Sequence, residues 1–416
     1  MTLNITEFNP MLKEYYTSRQ VEELAYNDHP LLAMVRKETD WGGREDAYTM
    51  PAWLTSTQAI GADFTTAIQN KGNGTYLRFQ MGQRKRYAFA QLDRLVMKAS
   101  MKSPKSFLKA YTAEVNGAMN QYGRDLAWNL YRSETGKRAT VGSITEPGGV
   151  DTLLVLSNRA DIVGFEVGMK LVFSDSAAAP GVTPVPGGLA PRTIDAIDRS
   201  AGSLRFNGEL LVTTDGVAAG DHAHRDADLV AAGSFICVQG LEDHIPATAP
   251  GATPFQGVDR SIDTDRLAGI RIDGTSLTMS EAFIDAGQRL REAGKRPDHI
   301  FCNPVRFGQL VKETSSDVVR DKVKSPSGAS IGYDTVKVYT PAGVLPVVSD
   351  PDCPHDVAWM LNVKDLVLAS TGKMPEIADE DTKMLRSPTQ DEYEVRIAGY
   401  GNLGIFDHGA QARIAL

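Results

Sequence analysis

Two short runs bring together the kinds of side chain that hold metal ions. In Asp221-His222-Ala223-His224-Arg225-Asp226-Ala227-Asp228, alternation along an extended chain puts His222, His224, Asp226 and Asp228 on one side, a donor set that suits a divalent ion. Arg225 adds positive charge in their midst, and the run reads more simply as a solvated loop. Asp350-Pro351-Asp352-Cys353-Pro354-His355-Asp356 is broken by prolines and reads as a turn. Asp263, Asp265 and Glu281 are oxygen donors, but a calcium loop needs a further oxygen ligand and a glycine at fixed offsets, where Leu267 and Ala268 stand. A phosphate loop needs GxxxxGK followed by a hydroxyl residue, and neither Gly136-Lys137-Arg138 nor Gly372-Lys373-Met374 supplies it. HExxH and GxSxG runs are absent, and seven histidines give a catalytic triad no support. The three cysteines, Cys237, Cys302 and Cys353, are too far apart for a CxxC site and read as reduced thiols in a cytosolic setting. No catalytic, cofactor or metal site is assigned.

A different chemistry is concentrated in QNKGNGTYLRFQMGQRKRYAF (69 to 89), which carries Lys71, Arg78, Arg84, Lys85 and Arg86 and no acid. Five basic groups suggest a grip on nucleic acid, but the whole chain has a net charge of −8, and phosphate neutralisation usually comes with a basic excess. Strand alternation places Leu77, Phe79, Met81, Tyr87 and Phe89 on one face and Arg78, Arg84 and Arg86 on the other. With Lys71-Gly72-Asn73-Gly74 as the turn, the segment predicts a long hairpin with one apolar and one cationic face. Such a ribbon is only marginally stable alone, so its apolar face needs a partner surface.

The elements around it follow from periodicity. Asn9 and Pro10 open a helical arm, and residues 1 to 53 are too short to be a domain of their own. Pro104 begins a helix whose stripe Phe107, Tyr111, Val115, Met119, Tyr122, Leu126 and Leu130 predicts continuity to about residue 132. Residues 138 to 230 become short valine- and isoleucine-rich runs between turn residues, an all-β module expected to be a small barrel or sandwich. From 231 to 375 the pattern is mixed. Thr278 and Glu281 form a capping box, Gly294 ends that helix, Ile300 to Cys302 is a buried strand, and Asn303-Pro304 opens another helix. The closing run YEVRIAGYGNLGIFDHGAQARIAL reads as strands returning to an earlier sheet. The composition, 42% hydrophobic and 23% charged, is ordinary for a globular α+β protein. The first residues lack the apolar core of a signal peptide, and no uninterrupted apolar run is long enough for a membrane span.

This order, with YYTSRQVEELAYNDHPLLAMVRKE, the Tyr48-Thr49-Met50-Pro51 strand entry, LAWNLYRSETG at the end of the long helix and GLEDHIPATAPGATPFQGVDRS opening the next region, resembles the major capsid proteins of tailed bacteriophages with the Hong Kong 97-type fold. The resemblance implies an N-terminal arm at 1–53, an E-loop hairpin at 54–92, a P domain with its spine helix at 93–137, an inserted β domain at 138–230, an A domain at 231–375 and a C-terminal return to the P domain at 376–416. It further implies self-assembly into hexamers and pentamers around double-stranded phage DNA, held without sequence specificity, in a virion assembled in the bacterial cytoplasm. The partners implied are a separate scaffolding protein, a portal and possible decoration proteins, with no membrane. A shell of the same fold around protein cargo is the alternative, and a carbohydrate-binding or enzymatic protein built on the β domain is a distant one. The fold's type member is crosslinked through an E-loop lysine. Lys71 lies near the hairpin tip here, but no feature identifies a partner asparagine.

Residues 376 to 394 carry seven acids and two bases. The expectation is that Lys71, Arg78, Arg84, Lys85 and Arg86 face Glu376, Asp379, Glu380, Asp381, Glu392 and Glu394 of a neighbouring copy, while Leu77, Phe79 and Met81 lie on its P domain. Such complementarity would favour correct register and fast assembly. The competing reading is two solvated faces with no mutual contact.

Overall fold

The computed structural model describes residues 29–41, 47–56, 59–70, 72–93, 104–175, 184–186, 189–226, 228–229, 236–313, 320–322, 334–377, 385–386 and 392–416. The long helix runs Pro104–Tyr131, about 42 Å at 1.5 Å per residue. Of its predicted stripe, Val115, Met119, Tyr122, Leu126 and Leu130 are buried. They pack against Val395, Ile397, Leu403 and Leu366 in the main core. Among the described residues no helix is long and apolar enough to cross a membrane.

Strands are numbered along the chain. β1 (Arg36–Glu38) follows a short helix, Pro30–Met34, that starts with proline at its first position. β2 (Tyr48–Thr55) and β3 (Thr75–Met81) pair antiparallel as a hairpin, from Tyr48 opposite Met81 to Thr55 opposite Thr75. β4 (Arg84–Asp93) does not continue that ribbon. It pairs antiparallel with β21 (Glu392–Ile405), from Arg84 opposite Gly401 to Asp93 opposite Glu392. β18 (Leu366–Ser370) lies on β21's other side with β1 parallel beside it, and β19 (Glu376–Ile377) and β20 (Leu385–Arg386) complete a six-stranded sheet. The returning C-terminal strand is therefore the centre of the sheet that the long helix covers.

Gly399, Gly401 and Gly404 have GxGxxG spacing, a dinucleotide signature only at a strand-to-helix turn. Here they sit inside β21. A Cβ would strike Tyr122 Oη at Gly399, the Ala369 carbonyl at Gly401 and Met50 Sδ at Gly404. The glycines let a helix, a neighbouring strand and the hairpin approach one strand closely.

A seven-stranded sheet is built from β5 (Lys137–Thr145), β6 (Thr152–Leu156), β7 (Lys170–Ser174), β8 (Arg192–Thr193), β9 (Ala196–Asp198), β10 (Ser203–Phe206) and β11 (His222–Arg225), in the order β8-β7-β11-β5-β6-β10-β9. Only Ile194 and Asp195 separate its two edge strands. One continuous segment thus serves both edges and closes the sheet into a small barrel around Leu154, Phe173, Leu204 and Phe206.

The third sheet has the order β12-β22-β17-β13-β16-β15-β14, with β12 Ile270–Asp273, β13 His299–Cys302, β14 Arg320–Lys322, β15 Asp334–Thr340, β16 Gly343–Ser349, β17 Val357–Leu361 and β22 Ala412–Ala415. Helices Met279–Glu292 and Pro304–Glu313 contribute Phe283, Leu290 and Leu310 to the core on one face. Leu130 and Tyr131 of the long helix join Phe301 and Trp359 on the other. The Thr278/Glu281 capping box is complete, Gly294 takes φ +74° just past the helix end, and Asn303 Oδ1 accepts from the Val305 amide at 3.0 Å.

Candidate intersubunit surface

The stretch from 69 to 89 contains two strands of opposite phase. In β3, Phe79 and Met81 point inward and are fully buried, Leu77 is half-buried, and Arg78 and Gln80 face outward. Gly82 and Gln83 interrupt the ladder, and in β4 the even positions Arg84, Arg86, Ala88 and Ala90 face the protein. Tyr87 and Phe89 are therefore exposed, the reverse of the single apolar face expected. Small Ala88 and Ala90 let the long helix lie close. Arg84 and Arg86 reach the acids beyond them.

Arg86 is the centre of a buried ionic node. It bonds Asp125 of the long helix at 2.5 Å and Asp228, beyond the barrel's last strand, at 2.6 Å, while Arg138 and Arg225 also contact Asp125. Burial alone would raise the Asp125 pKa, but the Arg86, Arg138 and Arg225 guanidiniums outweigh it and hold the carboxyl well below its usual range. Burial raises the pKa of Asp228 despite Arg86. Cys237, 3.7 Å from Arg86, is pushed up to about 12 by burial and the nearby carboxylates, so it is an inert thiol. Arg84 bonds Glu134. The node ties β4, the long helix and the barrel together.

The hairpin presents two unlike ends. At its base Met50, Ala52, Phe79 and Met81 pack on Val367 and Ala369 of β18 and on Val258 and Leu267, and Phe79 lies 4.7 Å from the ring of His408. His244 Nε2 donates to the Leu403 carbonyl at 3.0 Å, which leaves its Nδ1 to accept from His408 Nε2 at 3.0 Å. Burial lowers the His244 pKa to about 3 and that of His408 well below its ordinary value, so both rings are neutral. Toward the tip, Trp53, Ile60, Phe64, Ile68 and Tyr76 are exposed, Ile60 by 81% and Phe64 by 78%. Large apolar side chains gathered on a thin hairpin call for a covering surface.

Several donors of the candidate metal runs are otherwise engaged. His224 Nε2 is 2.8 Å from Ser174 Oγ, with its pKa lowered to about 4 by burial, and Asp228 belongs to the Arg86 node. Asp350 accepts from Tyr131 Oη at 2.8 Å and the Leu31 amide at 3.2 Å, and Asp352 meets His29 at 2.5 Å, so that turn clasps the start of the chain's described part. Among the described residues no group of three His, Cys, Asp or Glu side chains is placed to hold a metal.

No protein-family model matches the chain, and no curated protein matches it. Solved structures do. The capsid asymmetric unit of cyanophage A-1(L) superposes with a TM-score of 0.50 at 14% identity, covering 94% of this chain and 92% of that one. The chain has the Hong Kong 97-like capsid fold. Looser likenesses are to Mycobacterium phage Adephagia (TM-score 0.42, 9% identity, 100% and 98% covered) and to the holo-SrpI encapsulin complex of Synechococcus elongatus PCC 7942 (TM-score 0.42, 7% identity, 100% and 96% covered).

Within this capsid fold the predicted contact residues divide into four groups. Arg84, Arg86, Phe79 and Met81 have partners in their own chain, because β4 changes phase at Gly82-Gln83 and the hairpin base packs on β18. Leu77 is half-buried and packs on the same hairpin core, and Glu394 accepts from Arg396 of its own strand. Arg78, Lys85 and Glu376 are exposed. Lys71, Asp379, Glu380 and Asp381 lie outside the described residues, and Glu392 is described only through its backbone pairing with Asp93. The apolar tip residues Trp53, Ile60, Phe64 and Tyr76 were not singled out from the sequence. Their signal was available in four large apolar residues flanking a Gly/Thr-rich turn, without a core periodicity.

Proposed function

We propose that the chain is a shell-forming subunit, the major capsid protein of a tailed phage, assembling into hexamers and pentamers of an icosahedral head around double-stranded DNA. The capsid fold shared over nearly the whole chain carries this reading. The bare apolar end of the β2–β3 hairpin supports it. In this reading residues 1–53 are the N-terminal arm, 54–92 the E-loop, 93–137 and 376–416 the P domain, 231–375 the A domain, and the barrel at 138–230 an insertion.

The role is structural rather than catalytic. The hairpin tip lies on a neighbouring copy through Trp53, Ile60, Phe64 and Tyr76, and Arg78, Lys85 and Lys71 meet acidic groups such as Glu376 and Asp379 to Asp381 of that copy. A scaffolding protein, a portal and decoration proteins are its partners in the virion, which assembles in the host cytoplasm. Sedimentation of the purified chain, with or without a scaffolding partner, combined with nuclease protection, tests the reading. Particles holding nuclease-resistant DNA are expected from infected cells. Particles filled with protein would replace the genome container by a cargo shell, and a discrete small oligomer under every condition would remove the shell role.

A further inference from the structure

A cavity of about 440 Å³ lies where the end of the long helix, the barrel and the third sheet meet. Lys137 at the start of β5, Arg413 on β22, Trp359 on β17 and Glu242 of the helix Leu241–His244 line it. Most other charges on its wall are already paired. Arg132 is 3.2 Å from Asp161, Asp356 accepts from Asn158 Nδ2 at 3.1 Å and meets His355 at 2.9 Å, and Arg138 is held by Asp125. Among the described residues Lys137 and Arg413 make no ion pair and feel only the longer-range attraction of acids such as Glu242.

Trp359 is 1% exposed, yet its indole N–H has no acceptor, and the Nε groups of Arg132 and Arg413 are likewise buried donors without acceptors. Arg138 Nε is a fourth such donor on the wall. Buried donors are nearly always satisfied, so a cavity whose walls collect four unsatisfied ones is suited to an acceptor from outside. Two unpaired cations against one carboxylate leave a net positive charge there. We propose that this cavity binds an oxyanion, a carboxylate or phosphate group, held by Lys137 and Arg413 with Trp359 as a neutral donor and Glu242 as the opposing charge that limits affinity. The inference does not depend on the shell role.

The full-length chain, titrated at constant ionic strength with inorganic phosphate and separately with a triglutamate peptide, tests it through the thermal midpoint and tryptophan fluorescence. A saturable response to at least one probe is expected, and the probe that responds separates a free anion from an acidic side chain. Combining Lys137→Gln with Arg413→Gln should weaken binding at least about tenfold, the effect of losing charge-assisted hydrogen bonds. Glu242→Gln should tighten it, which loss of a merely structural residue would not do, and it keeps the test decisive if the double variant fails to fold. Arg205→Gln, at an exposed pair with Asp151 in the barrel, should change nothing. No saturable response to either probe, or a double variant or Glu242→Gln that behaves as wild type, overturns the assignment.

Discussion

The end of the β2–β3 hairpin and the strand β4 lie close together along the chain, yet they solve opposite problems. β4 uses Arg84 and Arg86 inside the subunit, where each guanidinium meets carboxylates of the long helix, its following turn or the barrel. The hairpin end leaves Ile60 and Phe64 almost bare. Buried, ion-paired charge fixes the position of one element against another, because removing a partner strands a charge in a low-dielectric site. Bare apolar surface leaves a gain to be made by association. The difference separates what holds the subunit together from what would hold subunits to each other.

The sharpest way to break this division is at the node. Arg86→Ala leaves Asp125 and Asp228 buried without their shared partner and should cost about 3–5 kcal/mol, read by chemical denaturation of the unassembled chain. An unchanged denaturation midpoint would mean that the node does not hold the barrel to the helix.

The histidine pair under the hairpin base gives the next effect. Both folded pKa values lie below the unfolded value of about 6.5, so the unfolded chain takes up protons first as pH falls. This contribution is complete above pH 6.5, declines below it and is lost as pH approaches the folded value of about 3. Arg260, whose guanidinium bonds the Asp243 and His244 carbonyls, opposes any charge on these rings. Asp243 works the other way. Burial raises its pKa to about 7, so its contribution is fully present below the unfolded carboxyl value and is lost as pH rises through 7. Relative to a His244→Gln/His408→Gln variant, the wild type should lose stability from pH 6.5 to pH 4. Parallel pH curves would show that the rings are not held neutral.

A smaller change isolates a single helix. Thr278→Ala removes one half of the capping box and should cost about 1 kcal/mol by denaturation without affecting the hairpin. The smallest effect on stability, within about 0.5 kcal/mol, is expected for Ile60→Ser with Phe64→Ser, as both side chains are exposed. That variant should nevertheless fail to form particles by light scattering. Arg78→Glu with Lys85→Glu should leave the fold unchanged and slow assembly more at low salt than at high salt, since exposed charges are screened.

Much of the architecture was legible because it depends on local rules. The long helix followed from apolar spacing, the helix Met279–Glu292 from a capping box and Gly294, and an all-β module, barrel or sandwich, from short strands between turns. The change of phase at Gly82-Gln83 was not, since alternation alone cannot register a two-residue break that moves a strand to another sheet. Asp125 lies beside an apolar stripe, and its three arginine partners come from β4, β5 and β11. Such a long-range cluster leaves no spacing pattern in sequence. The GxGxxG run at Gly399 was overlooked in the sequence, and its glycines answer to packing.

Electron cryomicroscopy of particles assembled from the purified chain would show whether the hairpin tip joins neighbouring copies while the Arg86 node stays within one. A closed icosahedral shell is expected, in which Ile60 and Phe64 are buried against an adjacent subunit while Arg86 keeps Asp125 and Asp228 of its own chain. A shell with the hairpin tip in solvent, or Arg86 paired across the subunit boundary, would contradict it.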